Sequence, residues 1–478
     1  MNKYTKPIFC SLPTAEELRQ TLLASEGSDA RAQINMLFDR DTFVEIGAYT
    51  QRGFSDFLAT EKTNEFEGVI CGYGAIDGKL VFAFVEDASR MGGAIDDRHA
   101  RKITNLYKMA LSNGAPVIGV FNSIGTDIFE GTAGLAAYGK IISAVTRASG
   151  VIPQIAYVAG NCIGTCAAIA SMFDVVVKKE GASLYVTSPS LTGEDNAQDA
   201  IVSYCGTEPQ CAGYIIAMIS FLPSNSSVGI RSDICTDNLN RKLGNLDFGG
   251  DALAAISVIA DNGMFIEVGG GYGEAISTSF STIGGVKCGV VASSFAKNEG
   301  RIDASSARKA AKFVNFCDSY SIPVVTLVDS LGLAIDKENE SIFAPELAKL
   351  AMSYAASTCP KVTVIMGHAI GASFVLLGSK SLGADLVYAA EESEIGALCA
   401  ESGVAFAWDK YITEETTRDQ LIEDWKTTVS SPANAAASGE IDDIISINEL
   451  RARICSALLM LCAKGDAASV ACRKVLPL

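Results

Sequence analysis

The amino-acid sequence predicts an α/β protein made of two copies of one domain, each with a mainly parallel sheet covered by helices. The first observation is an internal repeat with a constant offset of 207 residues, in which Gly93–Lys102 and Gly300–Lys309 share six of ten residues. The second is the alternation of apolar strand-like segments with helical segments, which implies right-handed crossovers between parallel strands. A repeat unit of this length indicates a duplicated domain rather than a solenoid.

The same offset holds along a long stretch of each half. It pairs Pro116–Gly125 with Pro323–Gly332 and Pro153–Gly164 with Pro360–Gly371, and no gap is needed over residues 76–164. Each of these four segments begins with proline, continues as an apolar strand and ends at a glycine. Strands that are apolar on both faces are typical of a parallel sheet. Each copy is therefore expected to repeat the same order of strands and helices.

Local sequence assigns the remaining elements. Gly72–Gly78 is interpreted as the turn of a hairpin, because an apolar strand follows it where a dinucleotide-binding motif would have a helix. The polar, turn-rich segment from Pro223 to Asn245 is the predicted linker, which divides the chain into residues 1–235 and 236–478. Helices are predicted over Lys102–Ser112, Gly131–Ala148 and Lys309–Ser319.

Two apolar segments approach the length of a membrane-spanning helix. They are Ile155–Phe173, which is uncharged, and Val362–Ser379, which contains only His368 as a titratable side chain. Glycines interrupt both segments, and a buried strand, a tight turn and a buried helix explain them better. We therefore expect no insertion into a membrane.

Composition excludes some classes of function. The 38 Lys and Arg residues stand against 55 Asp and Glu residues, a net charge of −17 that disfavours binding to nucleic acids and to anionic membrane surfaces. The 14 cysteines show no repeated short spacing, which is typical of reduced thiols in a core and favours a cytoplasmic location. Cys162 and Cys166 are one helical turn apart, but no further ligand pair lies near them, so no metal is expected.

Candidate sites for chemistry lie at the glycine turns that follow the strands. In open α/β sheets, ligands bind at the carboxyl ends of the strands. A turn with little side chain exposes backbone N–H groups, and a helix that starts there adds its positive end. Two such N–H groups that point at one oxygen would stabilise an enolate. The same glycines would also let a helix pack tightly on a strand, and the residues alone leave both interpretations open.

Side chains suited to acid–base catalysis are scarce, since the chain has two histidines. His99 stands beside two arginines at a predicted helix start, where a solvated or structural role is favoured over that of a base. His368 lies just before a glycine turn of the second copy and is a candidate for lining it. Asp127 and Glu130 are the obvious carboxylates near a turn of the first copy.

Several segments, in order along the chain, resemble the carboxyltransferase family of biotin-dependent acyl-CoA carboxylases, transcarboxylases and decarboxylases. The similarity is to the β subunit of propionyl-CoA carboxylase and the α subunit of methylmalonyl-CoA decarboxylase, and it starts near Asp29. The segments that carry it are Gly72–Gly78, Met91–Ile103, Ser149–Ile155, Phe316–Pro323, Gly378–Asp385 and Ser431–Asp443.

The resemblance implies two tandem crotonase-like (ClpP/crotonase) domains, with the acyl-CoA on residues 1–235 and biotin on residues 236–478 of a partner subunit. By the same resemblance, N–H groups around Gly125, Thr126, Gly164 and Thr165 hold the thioester oxyanion. Those around Gly332, Leu333, Gly371 and Ala372 hold the ureido oxygen of biotin. The candidate substrate-binding residues are Gly92, Gly93, His99, His368 and Val375.

Where the family has paired turn glycines, this chain has Gly164-Thr165 and Gly371-Ala372. A residue with a side chain keeps the backbone donor in place only if its φ stays negative. The conformation of Thr165 and Ala372 therefore decides whether the N–H groups are retained.

The resemblance also implies the reaction and its partners. The chain is expected to move a carboxyl group between biotin and a CoA thioester of the propionyl/methylmalonyl or acetyl/malonyl type. Because it contains no Ala-Met-Lys-Met biotinylation motif, biotin is expected on a separate biotin carboxyl carrier protein. A biotin carboxylase or a membrane decarboxylase subunit would complete the complex, with this chain as a dimer or a trimer of dimers.

Two alternatives remain. One is a non-catalytic carboxyltransferase-like subunit that supports assembly of a carboxylase or decarboxylase complex. The other is a crotonase-type hydratase or isomerase that acts alone, for which Asp127 and Glu130 would supply the carboxylates.

Overall fold

The described part of the chain forms two eight-stranded sheets, one in each half. The structure is a computed structural model that describes residues 14–24, 27–51, 66–193, 199–228, 234–243, 250–335, 337, 340–413, 415–462 and 464. The strands of the first sheet are β1 (Val44–Ile46), β2 (Val69–Ile76), β3 (Lys79–Glu86), β4 (Val117–Ser123), β5 (Gln154–Ile163), β6 (Val175–Lys179), β7 (Ser183–Tyr185) and β8 (Tyr204–Gly206). Those of the second are β9 (Phe265–Val268), β10 (Ile276–Ile283), β11 (Val286–Ser293), β12 (Val324–Ser330), β13 (Lys361–Ile370), β14 (Leu386–Ala390), β15 (Glu394–Gly396) and β16 (Asp443–Ile445).

Helices connect and cover these strands. In the first half they are α1 (Ala15–Ala24), α2 (Asp29–Leu37), α3 (Asp97–Asn113), α4 (Thr132–Ala148), α5 (Thr165–Ser171), α6 (Pro189–Thr192) and α7 (Glu208–Phe221). In the second they are α8 (Ala252–Ile259), α9 (Ala304–Ser319), α10 (Glu340–Ala356), α11 (Ala372–Leu376), α12 (Ala400–Gly403), α13 (Arg418–Thr428), α14 (Pro432–Ala437) and α15 (Leu450–Leu461).

The two sheets have the same strand order. In the first, β1, β2 and β3 are antiparallel, while β3, β4, β5, β6 and β8 follow in parallel and β7 pairs with the end of β5. The second sheet repeats this order from β9 to β16, with β15 beside the end of β13. The predicted duplication and the mainly parallel sheets are therefore confirmed. The hairpin predicted at Gly72–Gly78 is also confirmed, because it joins β2 to β3.

The predicted helices are present, and two of them start earlier than expected. The carboxylates of Asp96 and Asp303 accept the N–H of the residue three positions on, at 2.7 and 2.6 Å, and so cap α3 and α9. These caps lie upstream of Lys102 and Lys309, where the sequence pattern had placed the helix starts. Within each copy the cap thus adds a turn of helix that hydrophobic periodicity alone does not reveal.

The two segments of nearly membrane-spanning length fold as strand, turn and short helix, as predicted. Residues 155–173 contribute to β5 and α5, and residues 362–379 contribute to β13 and α11. Among the described residues, no helix combines the length and the apolar composition that a membrane crossing requires.

The two halves pack against each other through apolar and polar contacts. The ring of Phe221 in α7 lies 5.1 Å from that of Phe280 in β10. The hydroxyl of Tyr320, the residue after α9, donates to Asp174 Oδ2 of the first half at 3.1 Å. Of the linker predicted between the halves, residues 229–233 and 244–245 lie outside the described residues.

Candidate active site

The glycine turns of each half follow two neighbouring parallel strands. In the first half, Ser123 at the end of β4 pairs with Cys162 of β5. In the second, Ser330 at the end of β12 pairs with Ala369 of β13. The turns begin two residues after these pairs, and so the two turns of each half lie side by side at the carboxyl edge of the sheet.

The turn glycines of the first half have N–H groups that are already hydrogen-bonded within the chain. The N–H of Gly125 donates to Ser123 Oγ at 3.1 Å, and that of Gly164 donates to the carbonyl of Tyr185 in β7 at 3.0 Å. Gly164 has a φ of +60° and precedes α5 directly. Such a φ is accessible to glycine at little cost, which explains the residue type at this position.

The second half repeats these bonds. The N–H of Gly332 donates to Ser330 Oγ at 3.2 Å, and that of Gly371, whose φ is +59°, donates to the carbonyl of Gly396 in β15 at 2.8 Å. Each of the four turn glycines therefore has an acceptor for its N–H group within the chain. The residues that follow these glycines are the other candidate donors.

The N–H groups of Thr126 and Thr165, the residues after the two glycines of the first half, differ from those of the glycines in their surroundings. Ile95 N–H donates to the carbonyl of Gly125, and Asp127 N–H donates to the carbonyl of Ile95, both at 2.9 Å. The N–H of Thr126, between these two contacts, is directed away from Ile95 as in any extended strand. Thr165 is the first residue of α5, and the first amides of a helix have no acceptor within it.

The second half has the same arrangement. Ile302 N–H donates to the carbonyl of Gly332 at 2.9 Å and Ala334 N–H to that of Ile302 at 2.8 Å, which leaves the Leu333 amide on the other side. Ala372 is the first residue of α11. The residues that follow the turn glycines are absent from the described non-glycine residues with positive φ, so the condition for keeping a backbone donor is met in both halves.

Gly92 and Gly93 contact the segment that leads from β4 to the turn at Gly125. Ile124 N–H donates to the carbonyl of Gly92 at 3.0 Å, and Ser123 Oγ donates to that of Gly93 at 2.7 Å. A Cβ at Gly93 would lie 2.5 Å from the carbonyl oxygen of Asn122, which is closer than real contacts allow. These contacts place both glycines in the support of the turn.

His99 is buried rather than solvated. Its side chain is 0 % exposed and lies between two carboxylates, with Nδ1 3.6 Å from Glu67 Oε1 and Nε2 3.9 Å from Glu86 Oε1. The expectation that His99 contacts a substrate is wrong for this conformation, because no part of its ring reaches the surface. Of the solvated and the structural role that the sequence favoured for His99, the structure shows the structural one. The two glutamates that enclose the ring come from the neighbouring β2–β3 hairpin and the segment before it.

His368 lies at the second pair of turns and is partly exposed. Its Nδ1 lies 2.8 Å from Asp329 Oδ1, which also accepts the backbone N–H of His368 at 2.8 Å. The imidazole stacks on the ring of Phe295, with the ring centres 4.9 Å apart. The hydrogen bond to Asp329 raises the pKa of His368, desolvation opposes this rise, and the carboxylate of Glu394 adds to it.

The raised pKa of His368 predicts a pH dependence that Asp329 controls. Because the folded-state pKa lies above the unfolded one, the pair stabilises the fold fully below the unfolded pKa of about 6.5, and this stabilisation is lost as the pH rises through the folded value. We expect an NMR titration of histidine-labelled protein to give a midpoint for His368 above 6.5. Asp329→Asn should lower this midpoint, because it removes the carboxylate that stabilises the charged imidazole. An unchanged midpoint in the variant would contradict the assignment.

The remaining candidates differ in their accessibility. Val375 on α11 is 45 % exposed and lies one turn beyond Ala372. Glu130 Oε2 accepts the N–H of Asp97 at the start of α3 at 3.0 Å, and Asp127 is 9 % exposed. Neither carboxylate is therefore presented at the first turn as a free acid or base.

The comparisons with known proteins agree with this architecture. The carboxyl transferase domain family matches residues 25–220 and 203–474. The chain is 32% identical over 465 residues to the methylmalonyl-CoA carboxyltransferase 12S subunit of Propionibacterium freudenreichii subsp. shermanii, covering 91% of this chain and 88% of the relative. It is 31% identical to the methylmalonyl-CoA decarboxylase subunit alpha of Veillonella parvula, covering 91% and 90%.

A solved structure is similar over almost the whole chain. It is the transcarboxylase 12S hexamer crystallised with methylmalonyl-coenzyme A and methylmalonic acid, with a TM-score of 0.89, 29% sequence identity, and coverage of 98% of this chain and 100% of that one. The duplicated sheets, the paired turns and these similarities lead to one conclusion. The chain belongs to the carboxyl transferase domain family of biotin-dependent acyl-CoA carboxyltransferases.

Proposed function

We propose that the chain moves a carboxyl group between biotin on a carrier protein and an acyl-CoA. Residues 1–235 are assigned to the acyl-CoA and residues 236–478 of a partner copy to biotin. One observation carries the proposal: each half presents a pair of backbone amides at adjacent turns, with the second amide at the start of a helix. Such a pair stabilises negative charge on one oxygen without a side-chain acid or base.

On the acyl-CoA side, the amides of Thr126 and Thr165 are proposed to donate to the thioester oxygen. Negative charge grows on that oxygen when the α-carbon loses a proton, or loses its carboxylate group as CO₂. In both cases the electron pair of the broken bond stays behind and moves into the carbonyl group. Donors that are already oriented by β4 and α5 need no reorganisation at that moment. This explains why the reaction needs few titratable side chains near the turns.

On the other side, Leu333 and Ala372 provide the corresponding amides. Biotin, when bound, supplies the ureido group that carries the carboxyl group. A ureido carbonyl oxygen accepts two hydrogen bonds, and the donor set of two adjacent amides fits it. His368 and Val375 lie on β13 and α11 beside these amides and are proposed to line the same pocket.

Assembly is proposed to complete the site. The acyl-CoA turns and the biotin turns belong to different halves, so a partner copy is proposed to bring one of each together as a dimer or a trimer of dimers. The similarity to a 12S subunit whose structure is described as a hexamer and a multienzyme core supports this. A carrier protein with biotin, a biotin carboxylase or a membrane decarboxylase subunit, and a cytoplasmic location are part of the same proposal.

A transfer assay tests the proposed activity. The purified chain is incubated with a biotinylated carrier protein and methylmalonyl-CoA labelled in the free carboxyl group. We expect label on the carrier, and none when the carrier lacks biotin. Malonyl-CoA labelled in the same position serves as the second substrate.

Two other results would overturn the proposal. If neither thioester transfers label although both bind, the chain is a non-catalytic subunit that supports assembly. If a CoA thioester is hydrated or isomerised without biotin, and Asp127→Asn or Glu130→Gln abolishes this, the chain is a crotonase-type hydratase or isomerase.

A further inference from the structure

Glu67, Glu86 and His99 belong to a buried group of titratable side chains in the first half. Glu67, Glu86 and His99 are 1, 1 and 0 % exposed, and the imidazole stands between the two carboxylates. The two ring nitrogens of His99 face these carboxylates at 3.6 and 3.9 Å. Burying titratable groups costs free energy of folding unless the groups stabilise one another. We therefore ask what this group of side chains contributes to the protein.

The carboxylates differ in their surroundings. Burial raises the pKa of Glu86 to about 7, although the facing imidazole of His99 and the N–H of Asn122 lower it in part. Burial also acts to raise the pKa of Glu67, but His99 and the amide of Gly68 outweigh it and hold the value below its ordinary range.

Glu86 connects this cluster to both turns of the first half. Its Oε2 accepts the N–H of Asn122 at 2.8 Å, and Asn122 Oδ1 accepts the N–H of Asn161 at 3.1 Å. Asn122 lies next to the last residue of β4, and Asn161 lies near the end of β5. A Cβ at Gly160 would lie 2.1 Å from Asn122 Oδ1, so the amide side chain is wedged between the two strand ends. Asn122 therefore links the ends of β4 and β5, four residues before Thr126 and Thr165.

The second half has part of the same arrangement, and comparing the halves shows which contacts recur at the strand ends. Ser293 occupies the position equivalent to Glu86, 207 residues later. The Oγ of Ser293 accepts the N–H of Asp329 at 2.6 Å. Asp329 Oδ1 then accepts the N–H of His368, as Asn122 accepts that of Asn161. The acceptor is thus present in both halves, while the buried imidazole between two carboxylates is present in the first alone.

We propose that Glu86 is a positioning residue of the acyl-CoA turns, which holds Asn122 and through it sets the distance between the Thr126 and Thr165 amides. The inference rests on the proposed function. Because the side chain of Glu86 is 1 % exposed, its removal should weaken the stabilisation of the transition state more than the binding of the acyl-CoA. If the donor N–H groups move, the transition state loses more stabilisation than the bound substrate, because the negative charge on the oxygen is largest in the transition state.

Matched substitutions separate this role from simple packing. Glu86→Gln keeps an oxygen that accepts the N–H of Asn122, whereas Glu86→Met has a similar length and no such oxygen. We expect kcat for carboxyl transfer to be at least about tenfold lower in Glu86→Met than in Glu86→Gln, with KM for methylmalonyl-CoA within about threefold. The unchanged chain is measured alongside, so that an inactive parent would point to the proposed function and not to Glu86.

A second pair covers the case in which the longer side chains fail to fold. Glu86→Ser copies the hydroxyl of Ser293, and Glu86→Ala leaves almost the same cavity without the acceptor, so the two should have similar melting temperatures. The serine variant should have the higher kcat. Equal kcat values within each foldable pair, or a change in KM alone, would overturn the proposal.

Discussion

Replacing Thr165 by proline is expected to lower carboxyl transfer about a hundredfold or more while the fold is retained. Proline lacks the N–H group, and Thr165 is the first residue of α5, the position at which a helix tolerates proline best. Loss of one donor to a developing oxyanion lowers kcat by about 10²–10³ in other enzymes. The rate is measured with methylmalonyl-CoA and a biotinylated carrier, and the folded state is followed by thermal melting.

The control for this substitution is Thr165→Ala, which keeps the amide and should retain most of the activity. Proline at Gly164 would be less informative, because that residue has a φ of +60° and its N–H is bound to Tyr185. Both features would be lost, and the fold would suffer with them. If Thr165→Pro and Thr165→Ala transfer carboxyl groups equally well, the amide of Thr165 has no role in the reaction.

The second large effect is expected at the equivalent position of the other half. Ala372→Pro removes the amide at the start of α11 and should reduce transfer to or from biotin by a similar factor. Binding of methylmalonyl-CoA, measured by calorimetry, should be unchanged, because the acyl-CoA is assigned to the first half.

Ala372→Ser, which keeps the N–H, is the control for this half. The comparison between the halves is the decisive one. If Ala372→Pro and Thr165→Pro weaken acyl-CoA binding and thermal stability alike, the turns serve packing and the assignment of one substrate to each half is wrong.

Sequence reasoning located the turns and named both the glycines and the residues after them as candidate donors. Glycine in a turn often indicates a backbone with positive φ. The structure has a positive φ at all four turn glycines, Gly125, Gly164, Gly332 and Gly371. Their N–H groups are occupied, since the hydroxyls of Ser123 and Ser330 and the carbonyls of Tyr185 and Gly396 accept them. The short strands β7 and β15 that supply two of these acceptors lie some way along the chain, where no local pattern indicates the contact.

One signal for the positioning residues was present in the sequence. Asn122 and Asp329 occupy the same position of the repeat, as do Asn161 and His368. A polar residue that recurs just before each turn at one offset indicates a shared task. It does not indicate which neighbour each residue holds, because the bonds to Glu86 and to Ser293 cross between strands.

The sequence by itself determined the duplication, the mainly parallel sheets and the place of the turns. Apolar periodicity and glycine turns are local properties of the sequence, and here both recur at one constant offset. It also determined the family, through motifs spread over most of the chain. Only the tertiary structure decided which glycine N–H groups are already bonded within the chain and whether the ring of His99 is buried. Hydrogen-bond acceptors and burial come from segments that are distant in the chain, such as Glu67 and Glu86 around His99, and these become neighbours only when the sheet and its helices pack.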